Sequence, residues 1–256
     1  MAELEIPREL KELIGPACWQ KEITGCSGTI VWRLNRFATG ATWLKTDSAG
    51  GELAREAAVL NWVHTRLPAP RVLWHGVEQG REWLLISEVP GRDLSKVNDP
   101  GLITKILASG LKMLHSLEIR GCPFSLKLED KLAKAKARVK ANLVDENDFE
   151  PEHHGKTARQ LWKQVLDTRP RDEDLVFTHG DYCLPNVFKK NREVSGFVDW
   201  GRAGLADRYQ DLALAVRSLD YNLGPGPWSQ MLFKKYGLAE PDWQKVDFYK
   251  MLDELF

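Results

Sequence analysis

The sequence has no excess of either charge and no long apolar run. Its 36 lysine and arginine residues balance its 36 aspartate and glutamate residues. A neutral chain has no general field that attracts nucleic acid or anionic lipid, so no nucleic-acid partner is expected. No segment approaches the roughly 20 consecutive apolar residues of a membrane-spanning helix, so no membrane partner is expected. The charged N-terminal segment lacks the apolar region of a secretory signal, which predicts a cytoplasmic protein.

Cysteines are few, and their spacing excludes the common metal and redox motifs. The four cysteines contain no C-x-x-C pair, so free thiols in a reducing compartment are expected. A true G-x-G-x-x-G motif is also missing. Hydrophobic residues make up 43% and charged residues 28% of the chain, as in an ordinary globular protein. A length of 256 residues fits one large domain or two small ones, and a monomer or weak dimer is expected.

The stretch 176–217 contains the side chains that phosphoryl transfer requires. The run HGD at 179–181 is followed by Asn186, and the run DWG at 199–201 ends the second strand of the next hairpin. This order matches the kinase pattern H-R-D-x-x-x-x-N followed by D-F-G, with Gly in place of Arg and Trp in place of Phe. Either motif alone is usually a turn or a strand end. Both motifs in order predict a kinase-like catalytic loop.

This spacing predicts three roles. One carboxylate, that of Asp181, can orient the attacking hydroxyl. The amide oxygen of Asn186 and the carboxylate of Asp199 can hold Mg²⁺ on the nucleotide phosphates. Asp211, on the helix that follows, is expected to point partly inward and to brace the catalytic loop.

The segment before residue 88 alternates short β-rich pieces with one helix, which predicts a small antiparallel sheet. Lys45 lies on an inner strand and is expected to reach the α- and β-phosphates, provided that a carboxylate holds it. Glu56, on the next helix, is the candidate because an inward-facing carboxylate is costly unless it is paired. The alternative is an ordinary solvated surface glutamate.

Three further positions are candidates for contact with the nucleotide. Ser27 lies among small residues at 25–29, which let backbone N–H groups approach phosphate oxygens, although a plain hairpin turn is the alternative. The carbonyl of Ser87 and the amide of Val89 are candidates for hydrogen bonds to adenine, where the sequence changes to turn-forming residues. Trp43 is a candidate for stacking on the base.

After the turn-forming residues that follow Ser87, the hydrophobic period changes from two to 3.6, which indicates helices. We therefore predict an α+β, two-lobed, protein-kinase-like fold. An N-terminal lobe at 1–88 has an antiparallel sheet and one main helix. A hinge at 89–92 leads to a mostly helical C-terminal lobe at 93–256, with the catalytic loop and the substrate pocket. A Lys- and Ala-rich helix at 129–142 is predicted to lie on the surface.

The sequence resembles the aminoglycoside phosphotransferases that act on the 3′-hydroxyl, the kanamycin kinases. The resemblance is carried by HGDYCLPNVF, SGFVDWGRAGLADRYQDLALAVRSL and the terminal LDELF, and it extends over nearly the whole chain. It implies a kinase-like enzyme that uses ATP and Mg²⁺ to phosphorylate an aminoglycoside and so confers resistance. It also implies that Asp181 is catalytic, Asn186 and Asp199 bind Mg²⁺, Lys45 binds phosphate and Glu56 holds the lysine.

The same resemblance implies an acid-lined substrate pocket. Asp253, Glu254 and the carboxylate of Phe256 would belong to this pocket, and Arg202 and Arg217 would lie near the sugar. Aminoglycosides are polycations, and carboxylates make strong charge-assisted hydrogen bonds to ammonium groups. Four acids between residues 146 and 152 are candidates for a flap over the pocket: Glu146, Asp148, Glu150 and Glu152.

One departure from the resemblance keeps other functions open. Family members often carry two adjacent acids just after the Arg-Ser-Leu equivalent, but this chain reads Asp220-Tyr221-Asn222. A kinase-like enzyme for another small alcohol, of the macrolide, amino-sugar or choline type, is therefore the alternative. A catalytically inactive binding module is a third hypothesis, and the intact set of predicted catalytic residues argues against it.

Overall fold

The computed structural model describes residues 5–22, 28–36 and 40–256. The chain divides into two compact units. The first comprises Met1–Pro90 and Gly196–Gly201, and the second comprises Gly91–Ser195 and Arg202–Phe256. The predicted α+β class, an antiparallel sheet followed by a mostly helical part, is confirmed. In the described part of the chain, no helix has both the length and the apolar composition to cross a bilayer.

The first unit is built on a five-stranded antiparallel sheet with the strand order β1-β2-β3-β5-β4. Its elements are α1 (Arg8–Ile14), β1 (Cys18–Glu22), β2 (Ile30–Arg36), β3 (Gly40–Ser48), α2 (Leu53–Val63), β4 (Val72–Glu78) and β5 (Arg81–Ser87). Helix α2 packs against β3, β4 and β5.

Alternation along β3 decides which side chains meet α2. Leu44 is fully buried in a cluster with Leu10 and Ile14 of α1 and with Leu85 of β5. Successive side chains of a strand point to opposite faces of the sheet. Lys45 is therefore directed to the other face, where α2 packs.

The second unit is mostly helical and carries two small sheets. Its elements are β6 (Arg92–Asp93), α3 (Pro100–His115), α4 (Leu128–Lys140), α5 (Ala158–Asp167), β7 (Leu175–Thr178), β8 (Val187–Lys190), β9 (Glu193–Phe197), β10 (Gly204–Asp207), α6 (Tyr209–Leu223), α7 (Trp228–Tyr236) and α8 (Trp243–Asp253). Strand β7 pairs with β10, and β6, β8 and β9 form the other sheet. The last two residues of β9 belong to the first unit.

Helix α6 is the central helix of the second unit. It packs against α3, α7 and α8, and ten of its 15 residues are buried, including Asp211. Helix α3, which packs on it, has Asp99 as its N-cap and Pro100 in its first turn, residue types that favour the start of a helix. A carboxylate on a helix buried on several sides must find donors inside the protein, and the donors of Asp211 come from the loop after β7.

Candidate active site

A buried lysine lies between two carboxylates in the first unit. Nζ of Lys45 donates to both carboxylate oxygens of Glu56, at 2.8 and 3.0 Å, and it also pairs with Oδ1 of Asp199. Lys45 is 9% exposed and Glu56 is 4% exposed. The Lys45–Glu56 ion pair expected from the sequence is therefore present, and it is buried.

The surroundings of Lys45 keep its ammonium group charged. Burial alone would lower the pKa of Lys45, but the charges of Asp199 and Glu56 outweigh burial and raise that pKa above its ordinary value. Burial raises the pKa of Glu56, and Lys45 opposes that change. A buried charge is tolerated only when it is paired and hydrogen-bonded, so each of these groups depends on its partner.

The segment Gly196–Gly201 holds Asp199 in a sparsely populated backbone conformation. The backbone N–H of Phe197 donates to the carbonyl of Pro68 at 3.0 Å, and Nε of Arg55 donates to the carbonyl of the segment's last residue at 2.9 Å. Between these anchors Asp199 adopts a φ of 62°. Non-glycine residues in this region are concentrated at functional sites. The side chain of Asp199 is 52% exposed, so it is accessible to a ligand.

A carboxylate of α6, that of Asp211, binds the backbone of the loop after β7. Asp211 is fully buried, and it accepts hydrogen bonds from the backbone N–H groups of His179 and Gly180, each at 2.8 Å. Gly180 has a φ of 81°, and a Cβ atom there would lie 1.8 Å from the carbonyl oxygen of Arg202. Only glycine fits this position, which explains why it replaces the arginine of the kinase pattern. Asp211 braces the loop as the sequence predicts.

Asp181 and Asn186 are hydrogen-bonded to each other in the second unit. Nδ2 of Asn186 donates to the backbone carbonyl of Asp181 at 3.0 Å and to its Oδ2 at 2.9 Å. Because the amide nitrogen makes these bonds, the amide oxygen is the end of Asn186 that is left for a cation. Mg²⁺ is a hard cation that prefers oxygen ligands, so this orientation fits the predicted metal-binding role.

The end of β5 is tied to the start of β4. The backbone N–H of Ser87 donates to the carbonyl of Arg71, and the Oγ of Ser87 accepts from the backbone N–H of Arg71, both at 2.9 Å. Val89 follows and is buried. Trp43 and Lys45 are two residues apart on β3 and share one face of the sheet, so Trp43 lies on the face that carries the buried ion pair.

A cavity of about 500 Å³ opens in the first unit at the end of β5. Six of its lining residues are Ala41, His64, Leu67, Pro68, Ser87 and Glu88. Ala41 is on the same face of β3 as Trp43 and Lys45. The cavity therefore lies beside the residues that the sequence assigns to the base. Ser27 lies outside the described residues.

Asp253, predicted to bind substrate, is surrounded by cations of the protein. Its carboxylate lies 2.7 Å from Nη2 of Arg217, 3.5 Å from Nζ of Lys131 and 3.7 Å from Nη1 of Arg202. Burial would raise the pKa of Asp253, but Lys131, Arg217 and Arg202 hold it below its ordinary value. Its negative charge is therefore already paired within the protein.

Glu254, which follows the last residue of α8, contacts the segment 150–153. It accepts from the backbone N–H of Glu150 at 2.9 Å, and its Oε1 lies 2.7 Å from Nδ1 of His153. Glu150 in turn lies 3.8 Å from Nε of Arg217. The predicted substrate residues Glu150, Glu254 and Arg217 thus come together, whereas Glu152 is exposed.

Phe256 lies in the same cluster, between two basic side chains of α4. Its backbone oxygen accepts from Nη2 of Arg138 at 2.6 Å, and its ring centroid lies 5.2 Å from Nζ of Lys131. Helix α4 therefore supplies cations to residues 253–256.

Lys131 is a site residue that the sequence reasoning missed, because α4 was predicted to lie on the surface. Its Nζ donates to Oε1 of Gln210 as well as pairing with Asp253. Burial lowers the pKa of Lys131 to about 8, although Asp253 opposes this change. The sequence does contain a signal that Lys131 faces the protein interior. Lys131 lies at helical spacing within the stripe of buried α4 residues, which are Leu128, Leu132, Ala135 and Val139.

Comparisons with known proteins show which sequences and structures this chain is similar to. Residues 31–249 match a family described as the phosphotransferase enzyme family. An aminoglycoside 3′-phosphotransferase of Niallia circulans is 39% identical over 98% of this chain and 97% of its own length. A crystal structure of an aminoglycoside 3′-phosphotransferase of type VIII has 33% identity, a TM-score of 0.86 and 97% coverage of both chains.

A third similar protein has been solved with ligands. It is an aminoglycoside phosphotransferase from Streptomyces rimosus in complex with ADP and streptomycin. It is 28% identical, with a TM-score of 0.83, and the match covers 96% of this chain and 95% of that one. The similarity therefore extends over nearly the whole chain.

Replacing Lys45 tests its predicted contact with phosphate. We expect Lys45→Ala to raise the KM for ATP at least about tenfold, a loss of about 1.4 kcal/mol of binding, because the ammonium that would contact phosphate is removed. Steady-state kinetics with varied nucleotide measure this. Lys140→Ala, at an exposed position of α4, is the control and should change the KM less than about twofold. Equal effects of the two variants would contradict the assignment.

Lys45→Ala also leaves Glu56 buried without its partner, which destabilises the fold. The double variant Lys45→Met/Glu56→Gln removes both charges together. It should unfold at a higher temperature than Lys45→Ala while keeping the raised KM for ATP, which separates phosphate binding from folding.

The lowered pKa of Lys131 predicts a pH-dependent stability difference. Between about 8 and the ordinary value of 10.5, the unfolded chain binds the proton that the folded chain has released, so the wild type gains stability as the pH rises. Lys131→Met lacks this group. Its free energy of unfolding relative to wild type should therefore fall by more than about 1 kcal/mol between pH 7 and pH 10.

Urea denaturation at several pH values measures this difference. Lys134→Met, at an exposed position of the same helix, should differ from wild type by a constant amount. A free energy of unfolding of Lys131→Met relative to wild type that stays constant, or that rises with pH, would show that the pKa of Lys131 is not lowered in the folded protein.

Proposed function

This chain belongs to the phosphotransferase enzyme family, and within it to the aminoglycoside 3′-phosphotransferases; from this membership we propose its reaction. The enzyme moves the γ-phosphate of ATP to a hydroxyl, namely the 3′-hydroxyl, of an aminoglycoside antibiotic. The phosphorylated drug carries added negative charge and loses a hydroxyl, which gives resistance. The proposed setting is the cytoplasm, and the enzyme acts as a monomer or weak dimer.

The buried ammonium of Lys45 is the observation that carries the proposal. It is held by Glu56 and lies beside Asp199 on the face of the sheet that also carries Trp43. A charged lysine fixed in this way is suited to the α- and β-phosphates of a nucleotide. The cavity at the end of β5 is the proposed place for the base, with Ser87 and Val89 supplying backbone hydrogen bonds and Trp43 stacking. Ser27 is proposed to contact the phosphates.

Asn186 and Asp199 are the proposed ligands of Mg²⁺. The amide oxygen of Asn186 is not used in the hydrogen bonds to Asp181, and the carboxylate of Asp199 is half exposed, so both supply the oxygen atoms that this ion prefers. When bound, Mg²⁺ neutralises charge on the phosphates during transfer.

Asp181 is the proposed catalytic residue. Its carboxylate accepts a hydrogen bond from the attacking hydroxyl and orients an oxygen lone pair toward the γ-phosphate. It takes up the proton as the new P–O bond forms and the bond between the γ-phosphorus and the β–γ bridging oxygen breaks, which releases ADP. Asn186 fixes one carboxylate oxygen at 2.9 Å, and Asp211 fixes the backbone just before it. The loop is therefore preorganised, and little motion is needed to reach the reactive geometry.

The cluster around residues 253–256 is the proposed antibiotic pocket. Carboxylates of Asp253, Glu254, Phe256, Glu150 and Glu152 would receive the drug's ammonium groups, with Arg202 and Arg217 near the sugar. Since Asp253 is already paired with protein cations, a drug ammonium must compete with them. This competition favours drugs whose amines reach several carboxylates at once.

A second candidate function is phosphorylation of another small alcohol, of the macrolide, amino-sugar or choline type. It is favoured by Tyr221 and Asn222, which are neutral where the family resemblance leads us to expect acids. Tyr221 is 88% exposed, and Nδ2 of Asn222 donates to the carbonyl of Ser218 at 2.7 Å. Neither side chain offers a carboxylate to a drug amine.

A substrate screen distinguishes the two functions. Purified protein is incubated with MgATP and one of kanamycin, neomycin, a macrolide or choline, and ADP release is followed. We expect turnover with kanamycin or neomycin, and a phosphorus–proton correlation by NMR to the 3′ position of the product. Turnover of a macrolide or choline with no aminoglycoside phosphorylated would overturn the proposal in favour of the second function.

Substitution of the proposed catalytic aspartate tests the mechanism. Asp181→Ala should lower kcat by about 10²–10⁴-fold while the melting temperature stays near that of wild type, because the side chain positions the hydroxyl. Asp167→Ala, an exposed residue at the end of α5, is the control and should retain wild-type kcat. Unchanged turnover in Asp181→Ala would refute the assignment.

A further inference from the structure

A second set of hydrogen bonds reaches Asp211 from α3 and α7. His115, the last residue of α3, has its Nε2 atom 3.3 Å from Oδ2 of Asp211. Its Nδ1 atom lies 2.8 Å from the hydroxyl of Tyr236, the last residue of α7. The side chain of His115 is only 3% exposed. Its ring is thus fixed at both nitrogens inside the protein.

The set continues to the residue that precedes β7. Nη1 of Arg208 donates to the hydroxyl oxygen of Tyr236 at 2.9 Å, and Nε of Arg208 forms an ion pair with Asp174 at 2.6 Å. Strand β7 begins directly after Asp174 and leads into His179. Interactions therefore hold the chain at both ends of this strand.

With a neutral His115 ring, the donors and acceptors in the set match in one order. A guanidinium group only donates, so the hydroxyl oxygen of Tyr236 accepts from Arg208 and its proton is directed to Nδ1 of His115. Burial raises the pKa of Tyr236, which keeps this proton on the hydroxyl. Nδ1 of His115 is then an acceptor, and Nε2 carries the proton that faces Asp211.

The carboxylate of Asp211 thus receives three donors. Oδ1 accepts from the N–H of Gly180, and Oδ2 accepts from the N–H of His179 and faces Nε2 of His115. In a buried site an unmade hydrogen bond is costly, and a fully satisfied polar network holds one geometry. Asp181 follows directly in the chain, so the orientation of the Asp211 carboxylate is transmitted to the catalytic side chain.

We propose that His115, oriented by Tyr236, is a positioning residue for phosphoryl transfer, which fixes the carboxylate of Asp211 and through it the loop that carries Asp181. The inference deepens the proposed function, because it takes Asp181 as the residue that acts on the hydroxyl. His115 touches neither nucleotide nor drug in this scheme. Its removal should therefore lower kcat and leave both KM values nearly unchanged.

Two substitutions of His115 separate its hydrogen bonds from its volume. His115→Phe keeps a ring and removes both nitrogens, and kcat should fall at least about tenfold with both KM values within about threefold of wild type. His115→Gln keeps an amide N–H that can reach Asp211, and it should recover most of the lost kcat. A purely structural role predicts no such recovery.

Tyr236→Phe tests the second half of the set. We expect ¹⁵N NMR to report a single Nε2–H tautomer of His115 in the wild type and a mixture of tautomers in Tyr236→Phe, with kcat reduced. Tyr209→Phe is the matched control, because the Tyr209 hydroxyl accepts one hydrogen bond, from the N–H of Asp242 at 2.8 Å. It should lose similar stability and keep wild-type kcat and the single tautomer.

Amide hydrogen exchange provides a readout that does not depend on the substrate. His115→Phe should speed exchange at the N–H groups of His179 and Gly180, and Tyr209→Phe should not. This result together with no aminoglycoside turnover in the wild type would mean that the proposed function is wrong and the positioning role is right. Unchanged exchange at these two amides, or a kcat loss in Tyr209→Phe equal to that in His115→Phe, would overturn the positioning role.

Discussion

The buried ion pair between Lys45 and Glu56 is the interaction on which the proposed function of the first unit depends. It joins β3 to α2, and Asp199 adds the segment Gly196–Gly201 to the same ammonium group. Burying these charges is expensive, and losing one partner leaves the other uncompensated. Burial of this pair is therefore not explained by stability alone, and it supports the proposal that Lys45 supplies a fixed positive charge to phosphate.

The second unit fixes its proposed catalytic side chain, that of Asp181, in a different way. Here one buried carboxylate, Asp211, gathers backbone N–H groups from the loop that carries Asp181. Charge-assisted hydrogen bonds are stronger than neutral ones, so they hold the backbone of this loop firmly. Gly180 is required in this loop because the chain passes so close to the carbonyl of Arg202. Both units thus use carboxylates on buried helix faces to position their functional groups.

Sequence reasoning reached the parts of the site that depend on local spacing. The helical and strand periods placed Lys45 and Glu56 on facing elements, and the catalytic loop followed from short motifs. His115 and Tyr236 were beyond its reach because their partners lie far away in the chain. The position of Lys131 in the buried stripe of α4 could have been read from the sequence, but its pairing with Asp253 on α8 could not. The pairing of Asp253 with three cations was missed for the same reason: composition indicates how many charges exist, but only the packing of α4, α6 and α8 shows which ones meet.

A crystal structure with Mg²⁺ and a non-hydrolysable ATP analogue would show whether Lys45 receives the phosphates while it stays paired with Glu56. Lys45 is charged and held by Glu56 in advance, so its Nζ should contact oxygens of the α- and β-phosphates while the bond to Glu56 persists. The phosphate should take the place of the Asp199 carboxylate next to Lys45. The carboxylate of Asp199 should then contact the metal ion together with Asn186. A nucleotide bound away from Lys45, or a Lys45–Glu56 pair that breaks on binding, would contradict the account.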